Sequence, residues 1–284
     1  MVLKGQFLER SVVVQSGGLM LDALFHRGAR PPACAIASPH PGFGGGSMVA
    51  PAVAELAWAL TQAGHATLRF DYRGVGASQG KSRQIENVDP PGRLPRVEPS
   101  GFADEVADLR AACDQLVATA GAGIPLCCIG YSFGAAVALQ AAQDGRIAKL
   151  VLIAPPTALA DFAPLGELRK PVLVVCAHQD PLSDSRALGR LLEPLGELGL
   201  LEVIPHADHG FRRGLPELGR TVAAWLRDGE PLPEHAGAAG GPAEARPGEH
   251  VGELSLPEGD GEPLELDDSD EEEPDDEMDP PPKR

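Results

Sequence analysis

Apolar and polar positions alternate along the first part of the chain and then fall into blocks. Residues 11–15 and 19–26 read as two strands, and Gly17-Gly18 between them is a tight-turn signal, so the chain is predicted to open on an antiparallel hairpin. After Arg30-Pro31-Pro32 comes a short buried strand over 33–37, then a glycine-rich turn. The alanine, leucine and tryptophan positions of 51–63 next suit a helix packed on a sheet. The same unit recurs: strand 65–72 and helix 102–118, then strand 125–130 and helix 133–143. Strands over 148–154, 171–177 and 200–205 follow, with helices over 185–195 and 210–227.

Strands that are continuous Val/Leu/Ile runs, separated by helices, bury both faces of a sheet. The predicted class is therefore α/β, with a mostly parallel central sheet, antiparallel edge strands from the N-terminal hairpin and helices on both faces. The connection over 155–170 is too short to hold a helical lid domain. Two segments do not fit the alternation. Residues 79–101 are polar and proline-rich, which suits a mobile loop or a small flap, and beyond residue 228 the composition turns to Gly, Ala, Pro and acid. The expected organisation is one domain over 1–228 and a disordered acidic Pro/Gly-rich tail over 229–284.

Charge changes the picture only at that tail. The net charge is −17, but residues 234–284 carry 18 acidic and 3 basic residues, leaving 23 acidic and 21 basic in the rest. The body is almost neutral and has no basic stripe, so a nucleic-acid partner is not expected. A docking role for the tail is open, and its partner is unknown. Cys34, Cys113, Cys127, Cys128 and Cys176 are an odd number without metal-ligand spacing, which argues for free thiols in a reducing compartment. No apolar run is long enough to span a bilayer and the first residues lack a signal-peptide pattern, so a cytoplasmic location is expected.

The strongest chemical signal is Gly130-Tyr131-Ser132-Phe133-Gly134, a G-x-S-x-G sequence between a predicted strand and a predicted helix. A serine on so sharp a turn is held clear of the sheet, and glycines flank it because a side chain there would strike the neighbouring strand and helix. The following helix starts at Phe133, whose backbone N–H is placed to receive an oxyanion. A serine hydroxyl also needs a base and a group to orient that base. Asp180 follows the strand over 172–176, and His209 follows the strand that ends at Pro205. The order is nucleophile, acid, base, with spacings of 48 and 29 residues. His206 is the rival base. Asp184 is the rival acid, and it suits a helix N-cap better. Asp71 and Arg73 follow a strand and suit fastening a loop, with substrate contact as the alternative, and His40 suits a loop-fixing donor.

Pro39-His40-Pro41-Gly42-Phe43-Gly44-Gly45, Arg69-Phe70-Asp71-Tyr72-Arg73-Gly74-Val75-Gly76-Ala77-Ser78, the elbow Gly130-Tyr131-Ser132-Phe133-Gly134 and Ala207-Asp208-His209-Gly210-Phe211 together resemble the α/β-hydrolase superfamily. The nearest branch is that of small lidless hydrolases akin to dienelactone hydrolase, over roughly residues 8–228. Those enzymes use a cysteine nucleophile where this chain has Ser132, so their lactone substrate does not carry over. The resemblance favours His209 over His206 as base, and it implies a second oxyanion donor in the 40–45 loop, at the N–H of Gly42 or of Phe43. Pro41 has no N–H to give.

The implied activity is acyl transfer to water through an acyl-enzyme, on a small ester, thioester or amide, with no metal or organic cofactor. The alternative from another class is a non-catalytic binding or scaffold protein on the same fold.

Overall fold

The computed structural model describes residues 9–39, 46–82 and 102–228. The tail over 229–284, most of the 79–101 segment and the 40–45 loop lie outside them, and with these the domain boundary expected after residue 228. The elements run β1 (Arg10–Ser16), β2 (Leu19–His26), β3 (Arg30–Ala37), α1 (Pro51–Gln62), β4 (His65–Phe70), α2 (Ala103–Ala120), β5 (Leu126–Tyr131) and α3 (Phe133–Ala141). They continue β6 (Ile147–Ile153), β7 (Val172–Gln179), α4 (Ser185–Leu192), β8 (Gly199–Asp208) and α5 (Leu215–Asp228). All eight strands join one sheet in the order β1-β2-β4-β3-β5-β6-β7-β8. The β1–β2 and β2–β4 pairs are antiparallel and every other pair is parallel, as the hydrophobic runs predict.

Alternation within the strands divides the interior in two. On β3, Ala33 and Ala35 pack with Leu109 and Leu116 of α2 and with α3 on one face. Their neighbours Cys34 and Ile36 pack with Leu56 and Leu60 of α1 and with Val222 and Trp225 of α5 on the other. Adjacent side chains of a strand point to opposite faces, so a strand buried on both sides must be apolar throughout. The five cysteines are buried and free.

Between β6 and β7 the described chain makes only a 3-10 turn (Ala163–Glu167), so no lid domain sits there. Asp184 caps α4 by accepting from the N–H of Arg186 and of Ala187, each at 3.0 Å, which is the cap role foreseen for it.

Two elements at the C-terminal part differ from expectation. β8 runs on to Asp208 rather than stopping at Pro205; as the edge strand it tolerates a proline. α5 starts at Leu215 rather than at residue 210. Phe211 has φ +51, outside the right-handed helical region, and its N–H turns back to the carbonyl of Asp208 at 2.9 Å. The residues that periodicity assigns to the first turn of a helix form a separate loop carrying His209.

Candidate active site

Parallel strands bring their C-terminal ends to one rim, and in open α/β sheets functional groups gather there. Ser132 follows β5, Asp180 follows β7 and His209 follows β8. The register does the rest: Gln179 of β7 pairs with Asp208 of β8, so Asp180 and His209 are the next residues on two adjacent strands.

The elbow is closed by backbone contacts. Ser132 takes φ 54 and ψ −119, a left-handed conformation few non-glycine residues adopt, and its N–H is tied to the carbonyl of Ile153 on β6 at 2.8 Å. A Cβ on Gly130 would stand 2.1 Å from the carbonyl oxygen of Gly134, and one on Gly134 would stand 2.4 Å from that of Ala37. Both distances are far inside contact range and both obstacles are main chain, so the turn admits nothing larger than glycine at either place.

A continuous hydrogen-bonded chain runs through the three predicted residues. Ser132 Oγ lies 2.8 Å from His209 Nε2, and His209 Nδ1 lies 2.7 Å from Asp180 Oδ2. The Asp180 carboxylate is fully buried, and its other oxygen accepts from the N–H of Leu182 at 2.9 Å. A carboxylate can only accept, so Nδ1 carries a proton. In the neutral ring Nε2 then has a lone pair facing the serine hydroxyl. This arrangement can withdraw the serine proton as the oxygen attacks an electrophilic carbon.

The other predicted residues fall as follows. Phe133 is the first residue of α3, with its ring against Phe102 at 5.0 Å and Tyr72 at 6.1 Å between centroids. Gly42, Phe43 and His40 lie outside the described residues. His206 is exposed and has φ +60. Asp71 accepts from the N–H of Met48 at 2.6 Å, while Arg69 donates to the carbonyl of the same residue at 2.7 Å and pairs with Glu9. Burial raises the Asp71 pKa above the usual carboxylate value. Arg73 pairs with Asp108 and Asp104. These contacts tie the turn after β4 to Met48 and to α2, the fastening role favoured from sequence.

Tyr131 was singled out only as a letter of the elbow motif. Its hydroxyl donates to the main-chain carbonyl of His209 at 2.9 Å, and its ring lies nearly parallel to the imidazole, 30° between planes and 6.0 Å between centroids. The two residues are 78 apart in sequence, and nothing local to either announces the pairing.

Ser132 and His209 open into a cavity of about 250 Å³, walled by Pro39, Ala50, Pro51, Tyr131 and Arg212. A larger cleft of about 700 Å³ between α1 and α5 is lined by Trp58, Glu217 and Arg220, away from Ser132 and His209. Among the described residues no cluster of His, Cys, Asp and Glu is arranged to hold a metal ion, and no helix is long and apolar enough to cross a membrane.

Residues 43–167 match the family model described as serine aminopeptidase, S33. That span includes the elbow and ends before Asp180. No curated relative gives a significant match. Among solved structures, an α/β serine hydrolase homologue from Coxiella burnetii is 27% identical, with TM-score 0.63 over 76% of this chain and 97% of its own. A Xanthomonas campestris member of the α/β serine hydrolases without a lid is 26% identical, with TM-score 0.62 over 79% and 96%. An Agrobacterium tumefaciens protein of unknown function is 25% identical, with TM-score 0.65 over 79% and 100%.

Proposed function

We propose that this chain, an enzyme of the α/β-hydrolase superfamily, is a serine esterase that acts through an acyl-enzyme on Ser132. The observation that carries the reading is the chain Ser132 Oγ to His209 Nε2 at 2.8 Å and His209 Nδ1 to Asp180 at 2.7 Å.

In this reaction Ser132 Oγ forms a bond to the ester carbonyl carbon while its proton passes to His209 Nε2. The carbonyl electrons move onto oxygen, and the N–H of Phe133 at the start of α3, with that of Gly42 or Phe43, receives the charge. Collapse breaks the bond to the leaving oxygen, which takes the proton from His209. Water then attacks the acylated serine with His209 again as base, releasing the acid and restoring the hydroxyl. Asp180 holds the imidazole in one tautomer and stabilises it when charged. No step calls for a metal or organic cofactor.

A small substrate fits the cavity of about 250 Å³ and the absence of a lid between β6 and β7. The S33 model raises peptide cleavage as a second reading, since the same three groups can attack an amide. An aminopeptidase needs a carboxylate to meet the substrate's ammonium group. Among the described residues the cavity wall offers none, and Arg212 is the one Lys, Arg, Asp or Glu on it. Esters or thioesters are therefore preferred. We take residues 1–228 as the hydrolase domain and 229–284 as a separate tail. The free thiols support a reducing compartment such as the cytoplasm.

Hydrolysis of p-nitrophenyl acetate by the whole chain and by its Ser132→Ala variant tests the reading. A loss on the order of 10³ or more is expected, and an undiminished rate in the folded variant would refute it. Turnover of an aminoacyl p-nitroanilide faster than of the ester would favour the peptidase.

A further inference from the structure

The chain around His209 has strained main chain on both sides of the base, at the end of β8 and in the loop beyond it. Both His206 at φ +60 and Phe211 at φ +51 occupy the left-handed region, which side-chain-bearing residues adopt only when their surroundings hold them there. Within the loop, the carbonyl of Asp208 accepts from Phe211 N–H at 2.9 Å and its carboxylate accepts from Arg212 N–H at 3.0 Å. Asp180 holds the imidazole at Nδ1 and Ser132 meets it at Nε2, but two contacts along the ring fix neither its tilt about the line between them nor the main chain behind it.

Tyr131 supplies both. It is the last residue of β5, paired in register with Ile153 of β6, and only 6% exposed, so its own position is set by the sheet. The hydroxyl reaches the carbonyl of His209 at 2.9 Å and the ring faces the imidazole at 30°. The Tyr131 ring also meets Phe211, which is wholly buried, 6.3 Å away and edge-on. One rigid side chain thus touches the loop at the base and again two residues beyond it. Because Tyr131 also precedes Ser132, the same residue spans nucleophile and base. Burial first, then the charges of Asp180 and Asp208, push the phenol pKa up to about 12, so it remains a donor across the working range.

We propose that Tyr131 is a positioning residue for the general base, fixing His209 relative to Ser132 through its bond to the main-chain carbonyl and its ring alongside the imidazole. This rests on the reading of His209 as base. It predicts a defect in every step that uses His209, and in no step that does not.

The test is Tyr131→Phe, which keeps the ring and its packing and deletes only the hydroxyl. Proton transfer is sensitive to small displacements of the base, so kcat for p-nitrophenyl acetate should fall about tenfold, with KM unchanged within about twofold. Acylation and deacylation, separated by rapid mixing, should slow by the same factor, because the imidazole serves both. Amide exchange should quicken in residues 206–212 and stay as it was in β5 and α3. Tyr131→Leu, which also removes the stacked ring, should lose about 100-fold; if it does not fold, Tyr131→Phe carries the test alone.

A Tyr131→Phe enzyme with wild-type kcat would overturn the inference and leave the esterase reading standing. So would a defect confined to KM or to acylation. A folded wild-type chain that hydrolyses no ester or amide would remove both together.

Discussion

The turn that carries Ser132 is built from backbone meeting backbone: its glycines lie against carbonyl oxygens of α3 and β3, and the serine N–H is tied to β6. The loop that carries His209, 2.8 Å away, sits beyond the edge strand β8 and is held by side chains from elsewhere, Asp180 just after β7 and Tyr131 from β5. Steric closure leaves a local mark, because only glycine fits, so the elbow can be found in a short stretch of sequence. Anchoring by distant side chains leaves no such mark at the loop. The nucleophile is thus fixed by the fold itself, and the base by a few contacts that could be removed one at a time without disturbing the sheet.

Perturbations of the two regions should therefore differ in kind. The largest effect belongs to the base loop. Asp180→Asn keeps the shape but presents an amide to Nδ1, favouring the wrong tautomer, so kcat should fall on the order of 10³–10⁴ while the thermal midpoint moves little. Steady-state kinetics beside a thermal melt would check this, and a variant that keeps its activity, or loses it only by unfolding, would contradict it.

At the elbow the loss should fall on folding. Gly134→Ala puts a Cβ 2.4 Å from the carbonyl oxygen of Ala37 and 2.6 Å from that of Ser38, and backbone cannot step aside as a side chain can. A loss of about 3 kcal/mol or more in urea unfolding, or failure to fold, is expected. Normal stability would mean that the elbow has more room than the contacts allow.

Acid can be used to separate site from fold. His65, at the start of β4, is buried with Nδ1 on the carbonyl of Pro32 at 3.0 Å, and burial lowers its pKa below the ordinary 6.5. As pH falls below about 6.5 the unfolded chain takes up a proton that the folded one resists, so stability is full above that pH and declines beneath it. His65→Asn should flatten this decline in chemical unfolding measured at a series of pH values. Activity that still falls in acid in that variant then reports the catalytic groups. An unchanged slope would show that another group controls the decline.

The smallest effect is expected at His206. Replacing it by glycine removes a left-handed penalty but loosens the unfolded chain, so the gain should not exceed about 1 kcal/mol, with esterase activity retained. A large loss of activity would return His206 to contention as the base.

The same contrast explains what could be read from the chain beforehand. The fold was legible because strands buried on both faces are apolar throughout and turns are punctuated by glycine and proline; the sheet, its antiparallel edge and the missing lid all follow. Within the site, Ser132, Asp180 and His209 stood out because each follows a strand in a fixed order, and the structure brings them together. The start of α5 was placed too early: Phe211 at φ +51 and Gly214 at φ +111 turn the chain before the helix begins, and Gly210 and Gly214 were signals against a helical first turn. Tyr131 was missed because its partner is a main-chain carbonyl 78 residues on, and a carbonyl has no identity in sequence.

The most direct measurement is reaction of the whole chain with a fluorophosphonate probe, followed by mapping of the adduct by mass spectrometry. An adduct on Ser132 that forms in the wild-type chain and is lost or much slowed in His209→Ala is the predicted result. A folded wild-type chain that stays unlabelled, or one labelled at another serine with Ser132 intact, would contradict it.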